Sequence, residues 1–352
     1  MQSHFWTLHK NACSTWRVLF SLLIVFLVGS LYLVNLGGWL IQDDEGTDLY
    51  EVWRISMGDV AGVDLITEQP PVFLLGGVGL GRLSNFNVVV LRASSTALVL
   101  GSACLVMLFG REVWNLRAGL IGTIIYLLNY LVYEQARLFR PDPWMLAFTV
   151  MGLYLFVLSQ TRQKRFLFIL SGMAYAIATL CKLFGALPIG GCLLFLIHQG
   201  MTDRACRRAS LENSILLLIP FLVVALGGML SFYPPGSAYY GAVLGQHWQL
   251  GAQKGIGYRL AKGLVSLALF LYHNLAFMFA VPLIYRLATS RRVGERALAW
   301  QIPTGLGYLV LSRPLYERYW LYLVPVFGLI LGHLVDLVLG WIQSRTGLRA
   351  GV

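Results

Sequence analysis

The sequence has little charge, and its few cysteines are not paired. Only 12% of the 352 residues are charged, whereas about 25% is usual in a soluble domain. The five cysteines, at positions 13, 104, 181, 192 and 206, lack the short paired spacings of zinc sites and redox dithiols. The composition therefore excludes an ordinary soluble domain, and the cysteine spacing gives no support to a zinc or redox site.

Apolar residues fill long runs along the whole chain. They make up 57% of the sequence, and the mean hydropathy is +0.69. A bilayer core of about 30 Å needs roughly 20 helical residues to cross it, and it excludes irregular backbone. We therefore predict a single all-α polytopic membrane domain over residues 1–352, with about ten transmembrane helices and no separate soluble domain. The predicted spans are 17–41, 87–109, 118–133, 143–160, 166–182, 183–198, 214–231, 261–287, 297–312 and 319–342.

The net charge of +11 would suggest a nucleic-acid partner in a soluble protein, but here it follows the connections between spans. Sixteen of the 27 basic residues lie on one side of the predicted membrane. They are Lys10, Arg17, Arg111, Arg117, Arg162, Lys164, Arg165, Arg204, Arg207, Arg208, Arg286, Arg291, Arg292, Arg296, Arg345 and Arg349. By the positive-inside rule this side is cytoplasmic. We expect that the first helix is retained, that both termini lie in the cytoplasm and that no nucleic acid is bound. The expected membrane is the inner membrane of a bacterium, and the endoplasmic reticulum is an open alternative.

Two long loops, 42–86 and 232–260, are predicted on the outer side. In the first, Leu49, Val52 and Trp53 recur at three to four residues, which predicts a helix lying in the membrane interface. The glycine-rich stretch 76–81 lacks a nucleotide-binding fingerprint, so close packing against the membrane is the favoured explanation for its glycines. The second loop is rich in Tyr, Gly and Gln, which is typical of a partly ordered lid or an interfacial belt.

Acidic residues from three segments reach this outer side together with basic ones. The acids are Asp43, Asp44, Glu45, Glu68 and Asp142, and the basic residues are Arg137, Arg140, Lys182 and Arg318. Any one of these charges, taken alone, is more often a solvated loop residue than a ligand. Arg92 and Lys182 fall inside or at the end of spans, where ionisable groups are costly and usually paired or functional. Snorkelling of these two side chains to the membrane surface is the alternative.

Short motifs along the chain carry a resemblance to a known family. They are DDEG at 43–46, EQPP at 68–71, LRASS at 91–95, FRPDP at 139–143, ATLCKLFGALP at 178–188 and ERYWLYLVP at 317–325. In this order the motifs resemble the GT-C superfamily of membrane glycosyltransferases, in the branch of the protein O-mannosyltransferases and the bacterial aminoarabinose transferase of lipid A. Two departures are Gln69, where many of these enzymes have lysine, and the absence of a soluble domain after the tenth span.

The resemblance implies an inverting transfer of a sugar from a polyprenyl-phosphate carrier to a protein or lipid acceptor outside the membrane. It implies Asp44, Glu45 and Asp142 as catalytic residues, with Asp44 as the base. It implies Glu68, Arg92 and Lys182 as substrate-binding residues, with Lys182 a candidate for the donor phosphate. Since a leaving phosphate needs cations, Arg140 and Arg318 are expected to bind the substrate as well. No cofactor is certain, and a divalent cation held by loop carboxylates is left open.

Two other functions are weighed against this one. A transporter would place its site near the midplane between repeated halves, and no such repeat is visible. His273 and Asn274, near the middle of the predicted eighth span, are better explained by a hydrogen bond between helices. The stronger alternative is a noncatalytic subunit that keeps the GT-C fold within a larger membrane complex, surrounded by membrane lipids and a partner protein.

Overall fold

The structure is a computed structural model that describes residues 2–233, 235–241, 255–305 and 317–346. Within these ranges the backbone forms helices and no named strand. The α-helices are α1 (Gln2–Ser30), α2 (Asp43–Ser56), α3 (Pro71–Leu83), α4 (Val88–Val113), α5 (Leu116–Leu127), α6 (Tyr130–Ala136), α7 (Pro141–Arg162), α8 (Phe166–Cys181), α9 (Leu187–Thr202), α10 (Arg207–Phe232), α11 (Gly255–His273), α12 (Val281–Ala288), α13 (Val293–Ala299) and α14 (Val324–Thr346). Short 3-10 segments join several of them, including Leu183–Ala186, Leu275–Ala280 and Glu317–Leu323.

The predicted all-α membrane class is confirmed. Six helical segments of the described residues are long and apolar enough to cross a membrane, and there are up to eight spans if each of two bent helix pairs counts as one. The six are Thr15–Gly38, Val88–Val113, Pro141–Arg162, Leu183–Thr202, Arg204–Phe232 and Arg318–Thr346. Large apolar side chains such as Phe20, Leu27 and Val223 are exposed by 61 to 66% on these helices. Such surfaces suit contact with lipid.

The count of ten spans is not reproduced, for two reasons. The predicted span 166–182 is α8, which has 16 residues and is shorter than the roughly 20 that a perpendicular crossing needs. The predicted span 297–312 extends beyond the described residues. Two other predicted spans, 118–133 and 261–287, are not straight, because α5 and α6 meet at 64° and the two halves of the eighth span meet at 99°.

Small residues let the central helices approach each other closely. A Cβ atom added at Gly110 of α4 would lie 2.4 Å from Cα of Gly119 in α5. One added at Gly332 of α14 would lie 2.5 Å from the backbone nitrogen of Gly122 in α5. In a membrane, where lipid competes for apolar surface, such close packing is a main source of helix association. These contacts fix α4, α5 and α14 side by side.

The first long loop contains α2 and α3 instead of a span. At 13 residues, α3 is too short to cross the bilayer. The glycines predicted to serve close packing lie inside this helix. A Cβ atom at Gly76 would lie 2.6 Å from the Trp144 ring, and one at Gly77 would lie 2.7 Å from Val52. These glycines therefore pack against other helices of the protein and not, as expected, against the membrane, and the close contact sets α2 and α3 against the first turn of α7.

Candidate functional site

Helix α2 turns an acidic face toward the bundle. Its buried residues are Glu45, Asp48, Glu51 and Val52. On its other side, Tyr50, Trp53 and the following Met57 are exposed by 44 to 70%, as expected of a helix in the membrane interface. Three acids in the first turn stabilise the positive end of the helix dipole. Of the hydrophobic repeat seen in the sequence, only Trp53 lies on this exposed side, whereas Val52 is buried. The site lies on the buried side.

Asp44 lies between two arginines that come from distant segments. Arg140, just before α7, donates a hydrogen bond from Nη2 to Oδ2 of Asp44 at 2.6 Å. Arg318 donates from Nη1 to the same oxygen at 2.5 Å. Burial alone would raise the pKa of Asp44, but the hydrogen bond from Arg318 and the charge of Arg140 hold it below its ordinary value. With 53% of its side chain exposed, Asp44 is an ionised carboxylate that solvent and ligands can reach.

Asp142 and Lys182 form a second, deeper ion pair. Nζ of Lys182 lies 2.7 Å from both carboxylate oxygens of Asp142. The side chain of Lys182 is only 13% exposed, and that of Asp142 is 1% exposed. Asp142 lies in the first turn of α7, where a carboxylate is favoured by the helix dipole, and Lys182 follows the last residue of α8.

The ring of Tyr319 lies near both parts of the site. Its centroid is 5.3 Å from Nζ of Lys182 and 5.6 Å from Cζ of Arg318, which are cation–π distances. Asp44, Arg140, Asp142, Lys182 and Arg318 are therefore gathered at one end of the bundle, and we call these five residues the charged cluster. Together they offer three cations for an anionic ligand and one solvent-accessible carboxylate.

Glu45 and Arg92 meet away from solvent. Nε and Nη2 of Arg92 lie 2.8 and 2.6 Å from the two carboxylate oxygens of Glu45. Arg92 also donates to the backbone oxygens of Leu36 and Trp39, and Glu45 accepts a third hydrogen bond from the backbone nitrogen of Phe139. Both side chains are at most 1% exposed. Since every partner is internal, this pair holds the first span, α2 and α4 together. The catalytic role expected of Glu45 and the substrate-binding role expected of Arg92 stay predictions.

Glu68 does not join the charged cluster. It is exposed, and within the described residues it forms no hydrogen bond or ion pair. Its negative charge contributes instead to the raised pKa of Glu51 and of Tyr239. The sequence predicts that Asp44, Glu68 and Asp142 share one pocket. The structure brings Asp44 and Asp142 together and leaves Glu68 at a neighbouring part of the loop.

Two buried acids of α2 were missed by the sequence reasoning. Asp48 is 2% exposed and Glu51 is 6% exposed. Thr67 donates a hydrogen bond to Glu51 at 2.6 Å. Burial raises the pKa of Glu51 to about 7, although the hydrogen bond from Thr67 acts against the rise. The signal in the sequence was the spacing of Asp44, Asp48 and Glu51, which places them on one side of a helix.

The start of the second long loop packs on the first. Tyr233 donates a hydrogen bond to the backbone oxygen of Gln69 at 2.7 Å, and its ring stacks on that of Tyr239 at 3.9 Å between centroids. The backbone nitrogen of Ala238 donates to the backbone oxygen of Gly62 at 3.1 Å. Residues 234 and 242–254 of this loop lie outside the described residues, so the predicted lid or belt is described only at its ends.

A metal site is not evident in the described ranges. No group of three or more His, Cys, Asp or Glu side chains there is arranged to hold a metal ion. The carboxylates of the charged cluster are each matched by a basic side chain. A divalent cation stays a prediction from the sequence.

Comparisons with known proteins agree with this architecture. Residues 61–234 match the family described as dolichyl-phosphate-mannose-protein mannosyltransferase. The structure of ArnT from Cupriavidus metallidurans bound to undecaprenyl phosphate superposes with a TM-score of 0.72 at 18% identity, covering 92% of this chain and 60% of that one. No curated protein matches the sequence.

The oligosaccharyltransferase of Archaeoglobus fulgidus is a second structural relative. Its structure tethered to an acceptor peptide gives a TM-score of 0.60 at 15% identity and covers 95% of this chain and 51% of that one. A structure of the same enzyme, AglB, with an inhibitory peptide and a dolichol-phosphate gives 0.60 at 12% identity, covering 96% and 52%. The chain therefore has the fold of the GT-C superfamily of membrane glycosyltransferases, and the predicted resemblance is confirmed. It spans about half to three fifths of the length of these relatives.

Proposed function

We propose that this protein transfers a sugar from a polyprenyl-phosphate carrier to an acceptor on the extracytoplasmic side of the membrane. The observation that carries the proposal is the charged cluster, in which an accessible carboxylate lies among three cations at one end of an apolar helix bundle. A phosphate at the head of a lipid needs such cations, and its tail needs the apolar surface below. ArnT and AglB were solved with undecaprenyl phosphate and a dolichol-phosphate, respectively.

The reaction is a single displacement at the anomeric carbon. An acceptor oxygen attacks this carbon, its proton passes to the carboxylate of Asp44, and the bond from the carbon to the phosphate oxygen breaks. The polyprenyl phosphate leaves with the electron pair, and Arg140, Arg318 and Lys182 stabilise its negative charge. Because attack and departure occur on opposite faces, the configuration inverts.

The ion pairs of Asp44 do not prevent this use of the arginines. The Asp44 side chain is half exposed, and ion pairs in contact with water are worth little. A donor phosphate can therefore share Arg140 and Arg318 with Asp44 at small cost. When the donor is bound, this sharing also weakens the interaction of the two arginines with Asp44, and the carboxylate therefore becomes more basic.

Replacing Asp44 tests the proposal. We expect Asp44→Asn to lower the transfer of radiolabelled sugar from a polyprenyl-phosphate donor at least a hundredfold, because the amide cannot take up the acceptor proton. Mannose is the first sugar to try, since it is named in the description of the matched family. The matched control is Asp43→Asn, an exposed acid one residue earlier, which should keep wild-type activity. Full activity of Asp44→Asn in folded protein would contradict the role of Asp44.

A noncatalytic subunit of a membrane complex is the second candidate. It is favoured by the fact that Arg140, Lys182 and Arg318 each already contact an acid of this chain. A stable partner protein that copurifies without any polyprenyl phosphate, together with no transfer by the wild type, would support this candidate over the first.

A further inference from the structure

Asp48 is a buried carboxyl group that lies beside the charged cluster without being part of its ion pairs. It follows Asp44 by one turn of α2 and is 2% exposed. The groups that act on it electrostatically are Arg140, Glu51, Lys182 and Asp142. Its side chain forms no hydrogen bond within the described residues. Asp48 therefore faces the site while its oxygens have no partner from the described chain.

The other buried acids of the described residues all have partners. Glu45 binds Arg92, Glu51 accepts from Thr67, Asp142 binds Lys182, Glu295 accepts from Trp114 and Asp336 accepts from Asn115. Buried polar groups are nearly always hydrogen-bonded, because leaving one unpaired costs free energy. Asp48 is the exception among the buried carboxylates of the described residues, and the small exposure that its oxygens keep leaves them within reach of a ligand.

We propose that Asp48 is a substrate-binding residue whose carboxyl group hydrogen-bonds a hydroxyl group of the bound donor sugar or of the acceptor. This inference rests on the proposed function, since it concerns the same site. Its support is the position of Asp48 one turn from Asp44, its burial, and its missing partner. A hydroxyl group can both donate a hydrogen bond to a carboxyl group and accept one from it. It can therefore be the hydrogen-bond partner that the described chain does not provide for Asp48.

The charges around Asp48 favour a neutral partner over a cationic one. Arg140 and Lys182 already place positive charge near it, so another cation would be repelled. Burial raises the pKa of Asp48 well above its ordinary value, and the charge of Arg140 only partly offsets this while that of Glu51 adds to it. A carboxyl group that can hold its proton suits a sugar hydroxyl, to which it can also donate.

The test compares two substitutions at Asp48. Asp48→Leu removes all hydrogen bonding at similar size, and it should lower kcat/KM at least tenfold while the melting temperature stays the same or rises, because no internal bond is lost. Asp48→Asn keeps one donor and one acceptor and should lose less activity than Asp48→Leu. The matched control is Glu45→Leu on the same helix, which breaks internal bonds and should lower the melting temperature.

Deoxy analogues identify the source of the hydroxyl. Polyprenyl-phosphate mannose and analogues lacking one ring hydroxyl each are given to the wild type and to Asp48→Leu. If the hydroxyl belongs to the donor, one analogue is used equally well by both proteins. If it belongs to the acceptor, no analogue has this effect and the KM for the acceptor rises instead.

Two outcomes would overturn the inference. One is wild-type kinetics for both substrates in Asp48→Leu, and the other is a melting temperature that falls as far as in Glu45→Leu, which would give Asp48 a structural role. Failure of the proposed function would look different, since then the wild type itself would transfer nothing. In that case, the stabilisation of each protein by polyprenyl-phosphate mannose still decides whether Asp48 binds this lipid-linked sugar.

Discussion

Neighbouring acids at the start of α2 differ sharply in their surroundings. Asp44 is half exposed and lies against Arg140 and Arg318, whereas Glu45 is fully buried against Arg92. A difference of one residue rotates a side chain by about 100° around a helix axis. The first side chain therefore points to the site and the second into the contact between α2 and α4.

The pair of Glu45 and Arg92 gives a prediction about stability. We expect Arg92→Met to lower the free energy of unfolding by about 3–5 kcal/mol, because it leaves a buried carboxylate without its counter-ion. The double variant Arg92→Met/Glu45→Gln should recover part of this loss. Thermal unfolding in detergent measures both, with Arg111→Met, at an exposed position of α4, as the control. An Arg92→Met protein that is as stable as the wild type but inactive would instead indicate that the pair binds the substrate.

At the site, the sequence could predict the residues of the charged cluster but not the buried acid beside them. Asp44, Arg140, Asp142, Lys182 and Arg318 were expected to meet, because charges flanking apolar spans must collect at the membrane surfaces. Glu68 was expected with them and lies apart. Asp48 was not expected, since an acid on an interfacial helix is normally solvated. Its burial depends on how α2 packs in the folded chain, where Arg140 and Lys182 act on it electrostatically, and no local pattern records that arrangement.

Among the helices, the two bent spans meet at their breaks. Asn129, between α5 and α6, donates a hydrogen bond from Nδ2 to Oδ1 of Asn274, which follows α11. The neighbouring Tyr130 and His273 lie 3.2 Å apart between the hydroxyl oxygen and Nδ1. Asn129 also accepts from the backbone nitrogens that begin α6. The predicted hydrogen bond between helices is confirmed, and it satisfies backbone and side-chain groups at the bends.

The bends in these two spans could not be predicted from the sequence. Hydropathy predicts where a span lies because the bilayer sets its length, but a bent run and a straight run have the same composition. Asn129 and Asn274 lie at the two breaks and hydrogen-bond to each other. That pairing joins residues 145 positions apart, which a search for local patterns cannot detect.

Removing the asparagines tests this junction. Asn129→Ala should lower the free energy of unfolding by about 1–2 kcal/mol, because a helix cap and an interhelical bond are lost together. Asn274→Ala should cost less, and the double variant less than the sum of the two. Thermal unfolding of the three variants checks this, with Ser94→Ala as a control whose hydroxyl bonds only within α4. Fully additive losses would show that the two asparagines do not act together.

The whole molecule separates its charges between two ends. One end carries the charged cluster, and the other carries ion pairs such as Arg117 with Asp336 and Arg162 with Glu112. The positive-inside rule predicts that the second end is cytoplasmic. An apolar bundle lies between the two ends, so a lipid-linked sugar held at the charged cluster would have apolar surface beside it for its tail.

The lipid retained by the purified protein tests the central claim most directly. After gentle extraction from its native membrane, native mass spectrometry should find a polyprenyl phosphate on the wild type and on the control Arg165→Gln, which changes an exposed arginine at the other end. The variant Arg140→Gln/Arg318→Gln should lose most of it, because two of the three cations for the phosphate are gone. Equal retention by this variant, or no polyprenyl phosphate on any of the three proteins, would contradict the charged cluster as a donor site.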